Sequence, residues 1–298
     1  MNPSAETLQQ ARAAASACAH NLRLPLRTLQ WSGQSGNFAG AGTGASLDFH
    51  DHRMYSPGDD PRHLNWQAYA RTGQYTMKLF REETQPLVDL FFDVSPSMFF
   101  EPEKEKRSLE LFFFLSESTR RAGAHLRTYF LADQDCRLLP PEALNGDHWL
   151  DMARDLTKNA RPDQPDAPRL GRHPLRPKAL RVLLSDLLFP GDPAQVINPL
   201  VHGNGHPLIF RPFSQSEANP AWDGNYEFID AENASRHPRH INPQALRGYQ
   251  SSYQRHFDYW QDQSRRHRIP FASLPTETPL HQTLLQHALP LQALESTH

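Results

Sequence analysis

One short apolar segment constrains the fold more than any other part of the 298-residue chain. It runs from Leu87 to Asp93, reads Leu-Val-Asp-Leu-Phe-Phe-Asp, and has Pro86 immediately before it. A short, mostly apolar run of this kind predicts a strand that is covered on both faces. Such strands are typical of parallel sheets, in which helices pack on the two sides. The segment therefore predicts an α/β fold.

Polar side chains follow this predicted strand at the point where it ends. Asp93 closes the run, and the hydroxyls of Ser95 and Ser97 come next. In open parallel sheets, ligands bind beyond the carboxyl ends of the strands. Carboxylate and hydroxyl oxygens are also the ligands that Mg²⁺ and Mn²⁺ prefer. The same residue types cap helices, so the pentapeptide alone leaves a structural role open.

Strand and helix patterns alternate after residue 86, which favours a parallel sheet with right-handed crossovers. The run Ala179–Leu188 predicts a second buried strand, and Asp186 lies near its carboxyl end. A helix is predicted over residues 102–121, because acidic residues begin it, arginines end it and Gly123 follows. Two strands that bring carboxylates to one edge of a sheet strengthen the metal interpretation. We predict further strands at 74–81, 126–131, 136–139, 207–210, 226–231 and 270–274, and further helices at 4–20, 146–159, 193–201, 242–265 and 279–288.

Charged and aromatic residues are dense between residues 53 and 71. Such a segment is costly to order unless its polar groups are paired, so we expect a structural network that pins it to the main domain. The expected members are Arg53, Tyr55, Asp59, Asp60, Arg62, Trp66 and Arg71. A second interpretation concerns His50 and His52, which would share one face of a strand and offer a pair of metal ligands.

Two motifs of this sequence, one at residues 48–73 and one at residues 93–97, resemble those of known families. The pattern Asp-Phe … Arg-x-Tyr-x-Pro-Gly-Asp-Asp-x-Arg-x-x-x-Trp … Ala-Arg-Thr-Gly, over residues 48–73, resembles the signature of domain-of-unknown-function family 58. Asn65 stands where that family usually has Asp. The Asp-x-Ser-x-Ser at residues 93–97 resembles the metal-ion-dependent adhesion site of von Willebrand factor A (vWA) domains. Together they predict a vWA-like, Rossmann-type three-layer α/β/α sandwich over residues 87–298. Residues 1–86 would form an N-terminal helix and a smaller β-rich extension that carries the signature.

The resemblance also implies a ligand set. It consists of Asp93, Ser95, Ser97 and Asp186 around Mg²⁺ or Mn²⁺, for which we expect low occupancy. The vWA pattern adds a threonine from a loop between two later helical segments. No residue matches well, because Thr157 falls within a predicted helix and the proline-rich segment 161–178 contains no Thr.

The function implied by the family is a non-enzymatic protein-binding module. It would act as an adaptor or co-chaperone with a MoxR-type AAA+ ATPase and help to mature a client protein complex. Two alternatives stay open. The same scaffold could carry a silent metal site and act as a purely structural interaction protein. A metal-dependent hydrolase would instead use Asp93, Asp186 and a His from residues 50–63, although no nucleophile–base pair is evident from the spacing.

Bulk properties narrow the class of protein further. The formal net charge is −2 and the isoelectric point is near 6.8, which does not favour nucleic-acid binding. Cys18 and Cys136 form neither a disulfide framework nor a thiolate zinc pattern. No apolar run approaches the ~20 residues that span a bilayer, and the first 20 residues lack a signal-peptide pattern. We therefore predict a cytoplasmic protein with no membrane span of its own.

Overall fold

The computed structural model describes residues 2–26, 47–82, 85–158, 166–231 and 235–297, except for the side chains of 47–52, 63, 78–82 and 145. The chain divides into two compact units. The main unit comprises residues 1–29 and 86–298, and the small unit comprises residues 30–85.

Regular elements cover most of the described residues. The α-helices are α1 (Ala5–Asn21), α2 (Trp66–Thr72), α3 (Pro102–Arg121), α4 (His148–Lys158), α5 (Ala194–Val201), α6 (Gln215–Ala218), α7 (Pro243–Arg266) and α8 (Leu280–His287). The strands are β1 (Leu22–Arg23), β2 (Leu47–Met54), β3 (Thr76–Glu82), β4 (Leu87–Asp93), β5 (His125–Ala132), β6 (Asp135–Leu138), β7 (Leu180–Leu184), β8 (His206–Phe213), β9 (Gly224–Ile229), β10 (Arg236–Ile241), β11 (Phe271–Pro275) and β12 (Glu295–Ser296).

A six-stranded sheet forms the centre of the main unit, in the order β11-β8-β7-β4-β5-β6. Strand β4 lies between β7 and β5 and pairs with both in parallel. Strands β8 and β11 continue the parallel pairing on one side, and β6 closes the other side as an antiparallel edge strand. The predicted α/β architecture with a mostly parallel sheet is therefore confirmed.

Helices cover both faces of this sheet. Neighbouring residues of a strand point to opposite faces, and Phe91 and Phe92 show the two sides. The Phe92 ring stacks on Phe112 of α3, with centroids 4.7 Å apart. Phe91 belongs to a buried cluster that includes Ile197 of α5 and Trp260 of α7. The apolar character of β4 along its whole length is thus explained by two helical layers.

The N-terminal helix belongs to the main unit. Helix α1 packs along α3 and places Ala11 and Ala15 in the buried core. The chain then forms β1, which pairs with β12 near the C-terminus, and the Leu24 amide donates to Ser118 Oγ. The sequence-based division places residues 1–29 with the extension. Contacts with α3 and β12, both far away in sequence, attach them to the main unit instead.

The small unit is built on an antiparallel pair, β2 and β3, with a register shift between Phe49 and Asp51. Asp60 caps the short 3₁₀ helix Pro61–His63 by accepting a hydrogen bond from the Arg62 amide. Asn65 Oδ1 accepts from the Ala68 amide and so caps α2. Asn can fulfil this role as well as Asp, which explains how the sequence tolerates Asn65 at this position.

The structure contains a second antiparallel pair, β9 and β10, of which the sequence predicts only β9. The pattern at 226–231 predicts β9, whereas no strand is predicted at residues 236–241. The side chains of β10 are largely exposed, but its backbone pairs with β9 from Arg236 to Ile241. No helix among the described residues has the length and apolar character needed to cross a membrane.

A buried ion pair lies at the amino end of the central sheet. Asp89 of β4 is fully buried, and Arg176 donates from Nε to its Oδ1 over 2.9 Å. Arg176 Nη2 also donates to the carbonyl of Val88 over 2.7 Å and to that of His125 over 3.1 Å. One arginine from the segment before β7 therefore holds both β4 and the start of β5.

Replacing Arg176 by Met should destabilise the protein by about 3–5 kcal/mol, because the buried Asp89 carboxylate would lose its charge partner. Urea denaturation monitored by circular dichroism measures this change. The matched control is Arg172→Met, which removes an exposed ion pair with Asp135 and should cost about 1 kcal/mol or less. Equal costs for the two variants would contradict the assigned role of Arg176.

Candidate metal site at the carboxyl edge of the sheet

The register of β4 and β7 brings two predicted site residues to one edge. Phe92 pairs with Leu184, so Asp93 and Ser185 follow side by side. Ser185 Oγ donates to Asp93 Oδ2 over 2.6 Å, and Asp186 is the next residue. Both carboxylates are nearly inaccessible to solvent. The carboxyl ends of adjacent parallel strands thus place Asp93 and Asp186 at one point.

The loop after β4 adds two hydroxyls. The Ser95 amide donates to Asp93 Oδ1 over 3.0 Å, which folds the loop back over the end of the strand. Ser95 Oγ and Ser97 Oγ lie 3.1 Å apart. The 3₁₀ helix Pro96–Phe99 fixes this spacing. The loop therefore presents one carboxylate and two hydroxyl oxygens together.

The turn after Asp186 is conformationally demanding. Leu187 has φ 61°, a left-handed conformation that is rare for a leucine, and it is fully buried. Its amide donates to Ser185 Oγ over 3.0 Å, and its carbonyl accepts from His256 Nε2 over 2.8 Å. A residue held in such a rare backbone conformation costs the fold about 1–3 kcal/mol of stability, and residues of this kind cluster at functional sites. Here it turns the chain so that the Leu188 amide reaches Asp186 Oδ1, at 3.1 Å.

Thr157 reaches the same edge, although no residue matches the expected threonine ligand well at the level of sequence. It does lie in a helix, but in the last turn of α4, which points at the end of β4. Its Oγ1 donates to the carbonyl of Ala153 over 2.8 Å and approaches that of Val94 at 3.3 Å. A hydroxyl whose proton is given to a carbonyl keeps its oxygen lone pairs for another partner. Sequence reasoning set this residue aside because the vWA pattern takes its threonine from a loop and not from a helix.

These side chains line one cavity of about 300 Å³. The described lining residues include the carboxylates of Asp93, Asp133, Asp166 and Asp186, and a single ammonium, that of Lys158. Leu131, Leu188 and Phe189 supply apolar wall. The balance of charge favours a cation within the cavity, and the oxygen donors suit a hard cation.

Lys104 of α3 is a residue near the cavity that the sequence analysis did not identify. Its ammonium is completely buried, and Nζ lies 2.8 Å from Asp186 Oδ2. The same ammonium bonds to Glu217 Oε1. Asp186 therefore already has a positive partner, whereas no ion pair to Asp93 exists among the described residues. Burial and the nearby charge of Asp186 raise the pKa of Asp93 from its usual 3.8 to about 6.

The donor set fits Mg²⁺ or Mn²⁺ in chemistry, with Asp93 and the three hydroxyls as the available oxygens. It does not resemble a site built from His, Cys and carboxylates. No group of three or more His, Cys, Asp or Glu suited to hold a metal occurs in the described part of the chain. The proposed pair His50 and His52 lies outside the described side chains.

The residues expected to form a network in the small unit make two separate ion pairs. Arg53 Nη1 and Nη2 donate to the two oxygens of Asp59 over 2.7 and 2.6 Å. Arg62 binds Asp60 through Nε and Nη2, and Arg71 Nε donates to the Gln67 carbonyl over 3.4 Å.

The aromatic members lie in a neighbouring cluster. The Tyr55 ring contacts Tyr75, which stacks on Tyr69, and Tyr69 meets Trp66 edge-on. Trp66 itself is 59% exposed. The predicted residues thus form local pairs and an exposed aromatic cluster within the small unit.

Comparison with protein families supports the signature. The family described as "Protein of unknown function DUF58" matches residues 51–258, more than half of the chain. The chain belongs to the DUF58 family. The DUF58 match begins in β2 and ends in α7, so it includes most of the signature segment and the candidate metal site. Comparison with curated proteins and with solved structures gave no match.

The raised pKa of Asp93 makes a prediction about stability. Between pH 4 and pH 6 the folded protein holds this proton more tightly than the unfolded chain, so stability should fall as pH rises through this window. At pH 8, with chelator present, the ionised carboxylate should cost about 3 kcal/mol. Asp93→Asn should therefore be more stable than wild type at pH 8 and lose this part of the pH dependence.

Urea denaturation at pH 4.5 and pH 8 in EDTA measures the effect. Asp151→Asn is the control, because Asp151 is an exposed carboxylate on α4 and its substitution should leave the pH profile unchanged. A lower stability of Asp93→Asn than of wild type at pH 8 would show that the charged carboxylate stabilises the fold.

Proposed function

We propose that this DUF58 protein is a non-enzymatic binding module that recognises an acidic side chain of a partner through a divalent cation. The observation that carries the proposal is the convergence of Asp93, Ser95, Ser97 and Thr157 on one cavity at the edge of the sheet. Asp186 lies beside them. This donor set is the one expected for an adhesion-type site on a vWA-like sandwich.

In this proposal, Asp93 and the three hydroxyls hold Mg²⁺ or Mn²⁺, and Asp186 adds negative charge behind them. The bound cation supplies Lewis-acid affinity for a carboxylate, with no bond broken. The protein's own part is to fix the donors, through the Ser185 bond to Asp93 and the Leu187 turn. Because the described lining of the cavity carries four carboxylates and a single ammonium, an acidic partner would be repelled unless a cation compensates that charge.

The partner follows from the family resemblance. We propose a MoxR-type AAA+ ATPase acting on a client protein, with this chain as adaptor or co-chaperone in the cytoplasm. What supports a protein partner is the composition of the small unit's surface, where Trp66, Tyr69 and Tyr75 are exposed and in contact. Aromatic residues are enriched in protein interfaces.

A second candidate is the same scaffold with a silent metal site. The observation that favours it is the Lys104–Asp186 ion pair, which already neutralises one carboxylate. In that case binding would rest on the surface of the small unit alone and would not depend on a cation.

Calorimetric titration with Mn²⁺ should show one site in the wild-type protein. Asp93→Ala should remove the binding, and Thr157→Val should weaken it about tenfold, because each loses an oxygen donor. Ser116→Ala is the control, since this hydroxyl of α3 donates only to the Phe112 carbonyl. Unchanged Mn²⁺ binding by Asp93→Ala would remove the adhesion-type site from the proposal.

Capture of the ATPase distinguishes the two candidates. A tagged wild-type protein should retain a MoxR-type ATPase in Mg²⁺ and lose most of it in EDTA, and Asp93→Ala should fail in both conditions. Trp66→Ala tests the other surface with the metal site intact. Retention that is identical in Mg²⁺, in EDTA and with Asp93→Ala would favour the silent scaffold.

A further inference from the structure

The ammonium of Lys104 is an unusual feature of a cation site. Lys side chains are almost never fully buried unless they are paired, and this one has two carboxylates around it. Nζ lies 2.8 Å from Asp186 Oδ2, and it also bonds to Glu217 Oε1. Glu217 is itself fixed, because it forms the capping box of α6 with Ser214.

The Lys104 ammonium does not line the cavity, but it bonds to Asp186, which does. Asp186 lines the cavity, and Oδ1 is held there by the Leu188 amide. Its other oxygen, Oδ2, carries the bond to Lys104. A cation in the cavity would therefore meet a carboxylate whose charge Lys104 already compensates in part. Lys104 is absent from the cavity lining, so solvent ions cannot screen it as they screen a surface lysine.

We propose that Lys104 is the internal counter-ion of the candidate site and that it sets the affinity of this site for divalent cations. The inference rests on the proposed function, because it assumes that a divalent cation binds beside Asp93. When no metal is bound, Lys104 compensates the negative charge of Asp186 and Glu217. When a metal enters the cavity, the same positive charge repels it. The site is thereby a weak and exchangeable cation site, held mainly by Asp93 and the hydroxyls.

The two roles follow from the same charge. Two buried carboxylates near one another repel unless a cation lies between them, and Lys104 supplies it permanently. The same unit charge lies one hydrogen bond away from a carboxylate of the cavity. At such range, and at the effective dielectric of a protein, it changes cation binding by roughly an order of magnitude or more.

Calorimetric titration with Mn²⁺ tests the proposal. Lys104→Met removes the charge and leaves an unbranched side chain one atom shorter, and it should bind Mn²⁺ about tenfold or more tightly than wild type. Lys106→Met is the matched control, because Lys106 is an exposed residue of the same helix, and its affinity should equal that of wild type. Lys104→Met should also melt lower than wild type in EDTA and recover more on addition of Mn²⁺.

A double variant tests the proposal if Lys104→Met alone does not fold. Lys104→Met combined with Glu217→Gln removes one charge of each sign, so the net charge is unchanged and a single buried carboxylate, Asp186, loses its partner. Because the ammonium contacts Asp186 directly, this variant should still bind Mn²⁺ more tightly than wild type. An unchanged affinity in the double variant would assign the effect to net charge and overturn the proposal.

The outcomes separate this inference from the proposed function. If wild type binds Mn²⁺ and neither Lys104 variant binds it more tightly, the counter-ion role is wrong while the metal site stands. If a Lys104 variant binds and wild type does not, the counter-ion role is supported and the natural site is silent. If neither wild type nor any variant binds, both the metal site and the role of Lys104 are overturned.

Discussion

The parallel pairing of β4 with β7 is the interaction on which the candidate site depends. It aligns Phe92 with Leu184, so the residues that follow, Asp93 and Ser185, meet where both strands end. The 2.6 Å bond between them then fixes the Asp93 carboxylate. Every other contact at this edge builds on that alignment. A shift of one residue would turn Asp93 to the opposite face of the sheet and separate it from the cavity.

The central sheet and its helices could be predicted because burial on both faces leaves a strong signal. The runs at β4 and β7 are continuous and apolar, and α3 has charges of the right sign at each end. Strand β10 gave no such signal, since its pairing is by backbone and its Arg and His side chains face solvent. The position of α1 depends on partners far away in sequence, which no local pattern contains. Long-range contacts therefore decide the position of α1, whereas β10 is held by β9, its neighbour along the chain.

Some residues of the candidate site could likewise be predicted from the sequence, and others could not. Asp93, Ser95, Ser97 and Asp186 stand at strand ends, where motif and topology agree. The burial of Lys104 was not predicted, because a lysine near the start of a helix is ordinarily a solvated residue. A signal did exist: residues 104, 108, 111 and 115 recur at helical spacing, and all of them are buried. A lysine within such a stripe must find an anionic partner in the interior.

The buried charges around the cavity leave a defined imbalance. Asp93 and Asp186 are the buried carboxylates of the cavity wall, and Lys104 is the buried cation bonded to Asp186, whereas the buried Arg211 nearby contacts aromatic side chains. Arg211 donates to the Tyr253 hydroxyl and lies 3.5 Å from the centre of the Phe257 ring, and its pKa is lowered by burial. One negative charge remains, and the pairing assigns it to Asp93, whose pKa is near 6. A proton can balance it below that pH, and a divalent cation can balance it above. In the proposed site, a cation that binds near pH 6 would displace a proton from Asp93, so the same carboxylate would link metal affinity to pH.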